Sequence, residues 1–306
     1  MTTPASAPTR RPRHPARGGN GALAAFTVPS LVWYLLFMMG PLVAMFVIAT
    51  LNWGSIAAHP KFAGLANFAK LLADERIGTA LINTGIHLFA TLPFQVLGAF
   101  MIGYFLAQRP PGHRIFRVVL FIPALISTAQ LGTMFSVVLG PDGLVNGLLN
   151  LVGLGDHMRA WLADTHTALL CVILVSIWNG MGFNAVLFSA RLASIDQSIY
   201  EAAELDGASH WRRLWFVAFP ISLDFVSVMT MLQFLWSLFG SAALILILTE
   251  GGPGQATSTL SWLVYRFAFG VNGSPLIGYS QAIGILLFLL GVVGLVIIRR
   301  FIKQRY

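Results

Sequence analysis

Residues 200–220 read YEAAELDGASHWRRLWFVAFP, a polar, charged segment with helix signals lying between long apolar runs. Ser198 to Glu201 has the S-x-x-E form of a capping box, in which the Ser oxygen and the Glu carboxylate satisfy free N–H groups at a helix start. Ala202 and Ala203 propagate that helix, and Gly207 supplies a left-handed stop. Ser209 caps a second helix, whose WRRLW run carries Arg212 and Arg213 to a membrane boundary ahead of Pro220. The expectation is a docking element: two short helices hinged at Gly207 and held against a membrane face.

The flanking sequence is that of an all-α integral membrane protein. Of 306 residues, 57% are hydrophobic and 10% charged, where a soluble domain carries about 25% charged residues; the mean hydropathy is +0.77. Residues 1–20, rich in Pro, Ala, Thr and Arg and without apolar periodicity, are expected to form a disordered cytosolic tail. Residues 26–51 exceed the about 7–15 apolar residues of a signal peptide, lack a small-residue cleavage site, and read as a retained anchor. Five further runs approach or exceed the roughly 20 residues needed to cross the hydrocarbon: 80–107, 115–139, 167–195, 214–238 and 279–301. The apolar run 241–248 leaves the end of the fifth span open.

Charge placement orients these six spans. Fourteen of the 19 Lys and Arg residues fall on the side of the N-terminus, among them Arg10, Arg109, Arg191, Arg212 and Arg299. The other five are Lys61, Lys70, Arg76, Arg159 and Arg266. The positive-inside rule places both termini and the 200–220 loop in the cytoplasm of a plasma membrane. The net charge of +8 is therefore topological, which argues against a nucleic-acid partner. The one cysteine, Cys171, allows no intrachain disulfide and no Cys-based metal cluster, and the scattered histidines have no metal-ligand spacing.

With the loop placed, the residues carry a resemblance. Glu201-Ala202-Ala203, Gly207 four residues after Ala203, and Phe219-Pro220 follow the EAA signature of permease subunits in bacterial ABC importers. GLANFAKLLAD at 64–74 with Asn83 and Thr84, FIP at 121–123, GPDGLVNGLLNLVG at 140–153 and TEGGPGQATSTL at 249–260 look like the carbohydrate-uptake branch, closest to the first permease of maltose and glycerol-3-phosphate type systems. The resemblance covers about residue 26 to the C-terminus. It implies a half-channel that works by alternating access beside a second homologous permease, with two cytosolic ATPases that bind ATP and Mg and an external solute-binding protein. Coupling to the ATPase is expected through Glu201, Ala202, Ala203, Asp206 and Gly207. The chain has no G-x-x-x-x-G-K-[ST] run, its lysines being only Lys61, Lys70 and Lys303, so it is not expected to be an enzyme or to hold a cofactor itself.

A solute path needs polar or aromatic groups that face inward from apolar helices, since such groups are costly against lipid. Ser176, Asn179, Gly180 and Phe183 share one helical face of the fourth span, with Trp178 and Asn184 flanking it; Gln233, Trp236, Ser237 and Gly240 do so in the fifth. None is Arg or Lys, which favours a neutral sugar or polyol, with glycerol-3-phosphate or a phosphodiester left open because a partner permease can supply charge. His87 reads as an interhelix hydrogen bonder, Pro41 and Pro93 as kinks, and the GGPG at 251–254 as a turn shaping an external loop. Asp224, the one acid inside an apolar run, reads as a water-reachable carboxylate near a helix N-terminus. The alternative class, an ion-coupled secondary transporter or channel, requires membrane-buried ionisable pairs or inverted repeats. Asp164 and His166 lack a matching serine motif, so no catalytic constellation is read.

Overall fold

Apolar runs of this length must satisfy their backbone N–H and C=O groups internally, and helices do so within one segment. In the computed structural model, which describes residues 19–301, the chain is predominantly helical. Residue contacts divide it into two units, 1–47 and 48–306. Helix α1 (19–49) runs as Gly19–Tyr34, a widened π-type turn Leu35–Met39, and Gly40–Ala49. The tail expected over 1–20 falls mainly outside the described residues, and residues 19 and 20 already belong to α1.

The second unit opens with a short hairpin, β1 (Leu51–Asn52) and β2 (Lys61–Phe62), paired antiparallel with Leu51 opposite Phe62. Then follow α2 (Ala66–Ala73), α3 (Glu75–Ala107), α4 (His113–Leu125), α5 (Thr128–Val138), α6 (Leu144–Leu151) and α7 (Ala168–Leu192). After α8 (Gln197–Leu205) and α9 (210–221) come α10 (Leu223–Phe239), α11 (Ser241–Leu248), α12 (Leu260–Phe269) and α13 (Ile277–Phe301). Five helices, or six segments if the bent α4–α5 pair is one, are long and apolar enough to cross a membrane.

Two expected spans differ. The run 115–139 is not one helix: α4 and α5 meet at 98°. Pro123 cannot donate to the helical ladder, and Ser127 restarts it by accepting from the Gln130 N–H at 3.3 Å. The run 214–238 is also displaced. Residues 214–218 form a wide turn ahead of Pro220, Ser222 interrupts the helix, and the long span is Leu223–Leu248, taking in the 241–248 run. Pro41 and Pro220 each sit just past a widened turn, as expected where a proline ring displaces the carbonyl four residues back.

Three asparagines of the quoted motifs, Asn67, Asn83 and Asn146, are staples. Asn67 donates to the Ala49 and Leu51 carbonyls at 2.8 and 2.9 Å. Asn83 donates to Gln255 and Ser258 carbonyls, and Thr84 accepts from the Leu260 N–H, tying α3 to the loop that carries the Gly251–Gly254 turn. Asn146 donates to the Pro141 and Arg159 carbonyls and accepts from Trp161 Nε1 at 2.8 Å. Between α3, α7 and α9 lies the apolar core, where Phe100 meets Phe188 and Phe219 edge-on at 5.4 Å.

Candidate functional site

A cavity of about 340 Å³ opens among α3, the α4–α5 bend, α7 and α10–α11. Ser176, Asn179, Gly180 and Phe183 reach it from α7, and Gln233, Trp236, Ser237 and Gly240 from α10, because three- and four-residue steps keep each set on one face. Asn184 also lines it, whereas Trp178 does not. Two positions beyond Ser176 on a helix is about 200° of rotation, and Trp178 instead packs edge-on against Phe135 of α5 at 5.5 Å.

The wall that sequence reasoning missed is α3. His87, Thr91 and Gln95 follow at four-residue steps, the same signal used for α7 and α10. Gln95 lies in a widened turn, Phe94–Gly98, just past Pro93. Its Nε2 donates to the Ser176 carbonyl at 2.9 Å, an approach that the bare Cα of Gly180 permits, since a Cβ there would stand 2.8 Å from that nitrogen. Its own carbonyl accepts from Asn184 Nδ2 at 3.0 Å, and Asn184 Oδ1 accepts from Gln233 Nε2 at 2.8 Å. Asn179 Nδ2 donates to the Pro123 carbonyl at the α4–α5 bend at 2.8 Å. Carbonyl partners thus fix which amide atom is nitrogen. The side-chain oxygens of Gln95, Asn179 and Gln233 have no protein donor among the described residues.

His87 is 3% exposed and bridges α7 and α10. Thr91 Oγ1 donates to the His87 carbonyl at 2.8 Å, so it accepts from Ser237 Oγ at 2.9 Å. Ser237, its proton used, accepts from His87 Nδ1 at 3.1 Å. Ser176 Oγ donates to the Val172 carbonyl at 2.8 Å. Assigned from this network, the ring proton lies on Nδ1, and Nε2, 3.3 Å from Ser176 Oγ, is an acceptor left to the cavity wall. No Asp, Glu, Lys or Arg lines the cavity.

The charged loop forms the second feature. Helix α8 is capped not by Ser198 but by Asp196, whose carboxylate accepts from the Ser198 N–H and hydroxyl at 2.9 Å; the helix starts two residues earlier than the S-x-x-E pattern implies. Those bonds hold the Asp196 carboxyl below its usual range. Gly207 has φ +75°, and behind it the Ala208 N–H reaches the Ala203 carbonyl at 2.9 Å, closing the helix end. Ser209 accepts from the Arg212 N–H and starts α9.

Glu201 neither caps α8 nor pairs with Arg212 or Arg213. Facing outward, it has no ion-pair partner among the described residues, and Glu204 takes Arg213 at 2.7 Å instead. Buried Arg213 anchors that pair, with Tyr200 packed against Tyr104 of α3 at 6.2 Å. Burial pushes the Tyr200 hydroxyl up to about 12. Outward lie Glu201, Ala202, Leu205, Asp206 and Gly207, while Ala203 is half-buried. At the end of α7, Arg191 pairs with the half-exposed Asp224 at 3.2 Å.

Residues 66–306 match the family described as binding-protein-dependent transport system inner membrane component. A probable ABC transporter permease of Bacillus subtilis (strain 168), YurN, is 34% identical over 263 residues, covering 84% of this chain and 88% of its own. The lactose transport system permease LacF of Rhizobium radiobacter is 27% identical over 87% of this chain and 88% of its own. Among solved structures, a bacterial alginate ABC transporter in complex with an alginate pentasaccharide-bound periplasmic protein has a chain superposing with a TM-score of 0.78. At 21% identity, over 94% of this chain and 97% of that one, it establishes the fold.

Proposed function

The chain belongs to the family of binding-protein-dependent transport system inner membrane components, and from that membership we propose that it forms half of the membrane pathway of an ATP-driven importer for an uncharged, hydroxyl-rich solute of the carbohydrate class. The observation that carries the solute class is the cavity wall. Gln95, Asn179 and Gln233 each spend one N–H on the protein and keep an oxygen and an N–H free, and His87 adds an acceptor. Hydroxyls donate and accept, so they match such a wall, while a phosphate or carboxylate would find no cation there. Trp236, 70% exposed at the cavity, offers a face on which a sugar ring can lie.

The lactose transport system permease LacF, among the relatives, supports this reading. The partners in this reading are a second permease, two ATPase subunits that bind ATP and Mg, and an extracytoplasmic binding protein that hands over the cargo. The 196–213 element docks on one ATPase through Glu201, Ala202, Ala203, Asp206 and Gly207. The Tyr200–Tyr104 contact and the Glu204–Arg213 pair pass the motion of α8 to α3 and α9. Both termini lie in the cytoplasm of the plasma membrane, following the Lys and Arg bias.

The test is reconstitution of the whole assembly in liposomes with trapped ATP and a screen of neutral oligosaccharides and polyols. Uptake of one of them, dependent on ATP and on the loaded binding protein, is the expected result. Uptake by this chain alone, driven by an ion gradient, would replace the importer reading with a secondary transporter.

A further inference from the structure

A second cavity, of about 230 Å³, lies where the hairpin, α2 and the start of α13 meet, lined by Asn52, Trp53, Asn67, Lys70, Leu276 and Tyr279 among others. It is remote from the solute cavity and from the 196–213 element. Asp74, at the start of α3, bonds Tyr279, while Tyr104, near its end, packs on Tyr200. The step from residue 74 to residue 104 is about 45 Å of helix, and that from 74 to His87 at the solute cavity about 20 Å. In the orientation proposed above this cavity faces outside the cell.

Its walls are preset. Asn67 holds α2 to the Ala49 and Leu51 carbonyls, and the Gly278 N–H donates to the Trp53 carbonyl at 3.2 Å. Lys70 Nζ stands 4.7 Å over the Tyr279 ring. The neighbouring carboxylate, Asp74, is already taken by Arg76 at 2.7 Å and by the Tyr279 hydroxyl at 2.8 Å, and Lys70 has no ion pair among the described residues. Nothing else in the lining is charged.

Beside the cavity in sequence, Phe62 and Leu65 are 81% and 72% exposed. A cationic hollow with two aromatic walls and apolar neighbours has the make-up of a protein contact site. The volume is below the about 300–1,000 Å³ of pockets for drug-sized ligands, so it suits one side chain better than an oligosaccharide.

We infer that this cavity is a socket for a single Asp or Glu side chain of the extracytoplasmic binding protein, held by the Lys70 ammonium. The inference rests on the importer reading, which supplies that partner.

The test uses the complete transporter in nanodiscs and the solute-binding protein of the same system, with affinity measured at low and high salt. Lys70→Gln is expected to weaken binding by about three- to tenfold and flatten its salt dependence, and Lys70→Glu to weaken it further. Lys70→Arg should stay near wild type, and basal ATPase, measured without the binding protein, should be equal in all. An acid-to-Lys change on the binding protein that restores affinity for the Lys70→Glu transporter identifies the inserted side chain.

Wild-type affinity in Lys70→Glu overturns the inference. So does loss of the second permease from the purified Lys70→Glu complex, which makes the cavity a contact between permeases. Saturable binding of sodium glucuronate that vanishes in Lys70→Glu, with binding-protein affinity unchanged, assigns the cavity to a free acid and equally overturns it. A wild-type transporter whose ATPase no binding protein stimulates fails one level up, at the importer reading.

Discussion

Gln95 shows how much one side chain organises. Through its Nε2 and its carbonyl it joins α3 to Ser176 and Asn184 of α7, and through Asn184 to Gln233 of α10. Gln95→Leu removes a bond worth about 1 kcal/mol and a free oxygen on the wall. We expect about a tenfold fall in initial uptake rate in reconstituted vesicles, with normal assembly on size exclusion; full-rate uptake would take the cavity off the solute path. The aromatic pair gives a contrast: Trp236→Ala should lower uptake, whereas Trp178→Ala, packed on Phe135, should mainly lower thermal stability. Asp74 offers a pH test. The Arg76 guanidinium bonded to it, with help from the Tyr279 hydroxyl, brings its carboxyl down to about 2. A depressed carboxylate stabilises the fold fully above its unfolded value near 4 and progressively less as pH falls toward 2. Asp74→Asn should therefore cost about 1–2 kcal/mol at pH 7, and its melting-temperature gap to wild type should shrink by pH 3.

At the scale of elements, the hinge and the bends matter most. Gly207 has open space around its Cα, so a side chain there is opposed by the positive φ and not by a neighbour. Asn, which tolerates that conformation, should keep ATP hydrolysis coupled to uptake better than Val at 207, and Gly207→Asp, which tolerates it too but adds a charge to the outward docking face, should insert normally yet hydrolyse ATP with reduced uptake. Equal coupling ratios in all three would remove the hinge from the transmission path. Much of this element was legible: Gly207 as a stop and Ser209 as a cap both follow from local chemistry. The capping box was not, because the helix already starts at Gln197, where the Asp196 carboxylate accepts from the Ser198 N–H, so Ser198 sits inside the helix and not ahead of it. The α4–α5 bend escaped because hydropathy sees only an unbroken apolar run; the Pro123 and Ser127 pair was the available signal. The polar face of α3 escaped for a different reason: His87 by itself reads as a lone interhelix hydrogen bonder, and only Thr91 and Gln95 at four-residue steps make it a stripe.

For the whole molecule, the question is what drives the cycle. Asp224 lies at the end of a span, about half exposed and paired with Arg191, an arrangement suited to fixing the α7–α10 junction. Asp224→Asn should thus leave uptake within about twofold of wild type, as for a partly exposed ion pair worth about 0–1 kcal/mol, and collapsing the proton gradient should have no effect. A gradient-dependent rate lost in Asp224→Asn would reinstate ion coupling. Length, hydropathy and charge bias made the helical membrane architecture readable, and helical spacing marked the polar faces of α7 and α10, while the closing of those faces into one cavity arises from contacts between segments as far apart as residues 95 and 233.

The uncharged wall has one more consequence. A site built from amide and imidazole dipoles offers its guest a shallow energy well, because each contact replaces a comparable bond to water. Passage needs entry to be favourable and exit to be easy. A guest that arrives already sorted can be let go quickly, so turnover in this pathway is expected to be limited by the motion of the protein around the guest and not by escape from it.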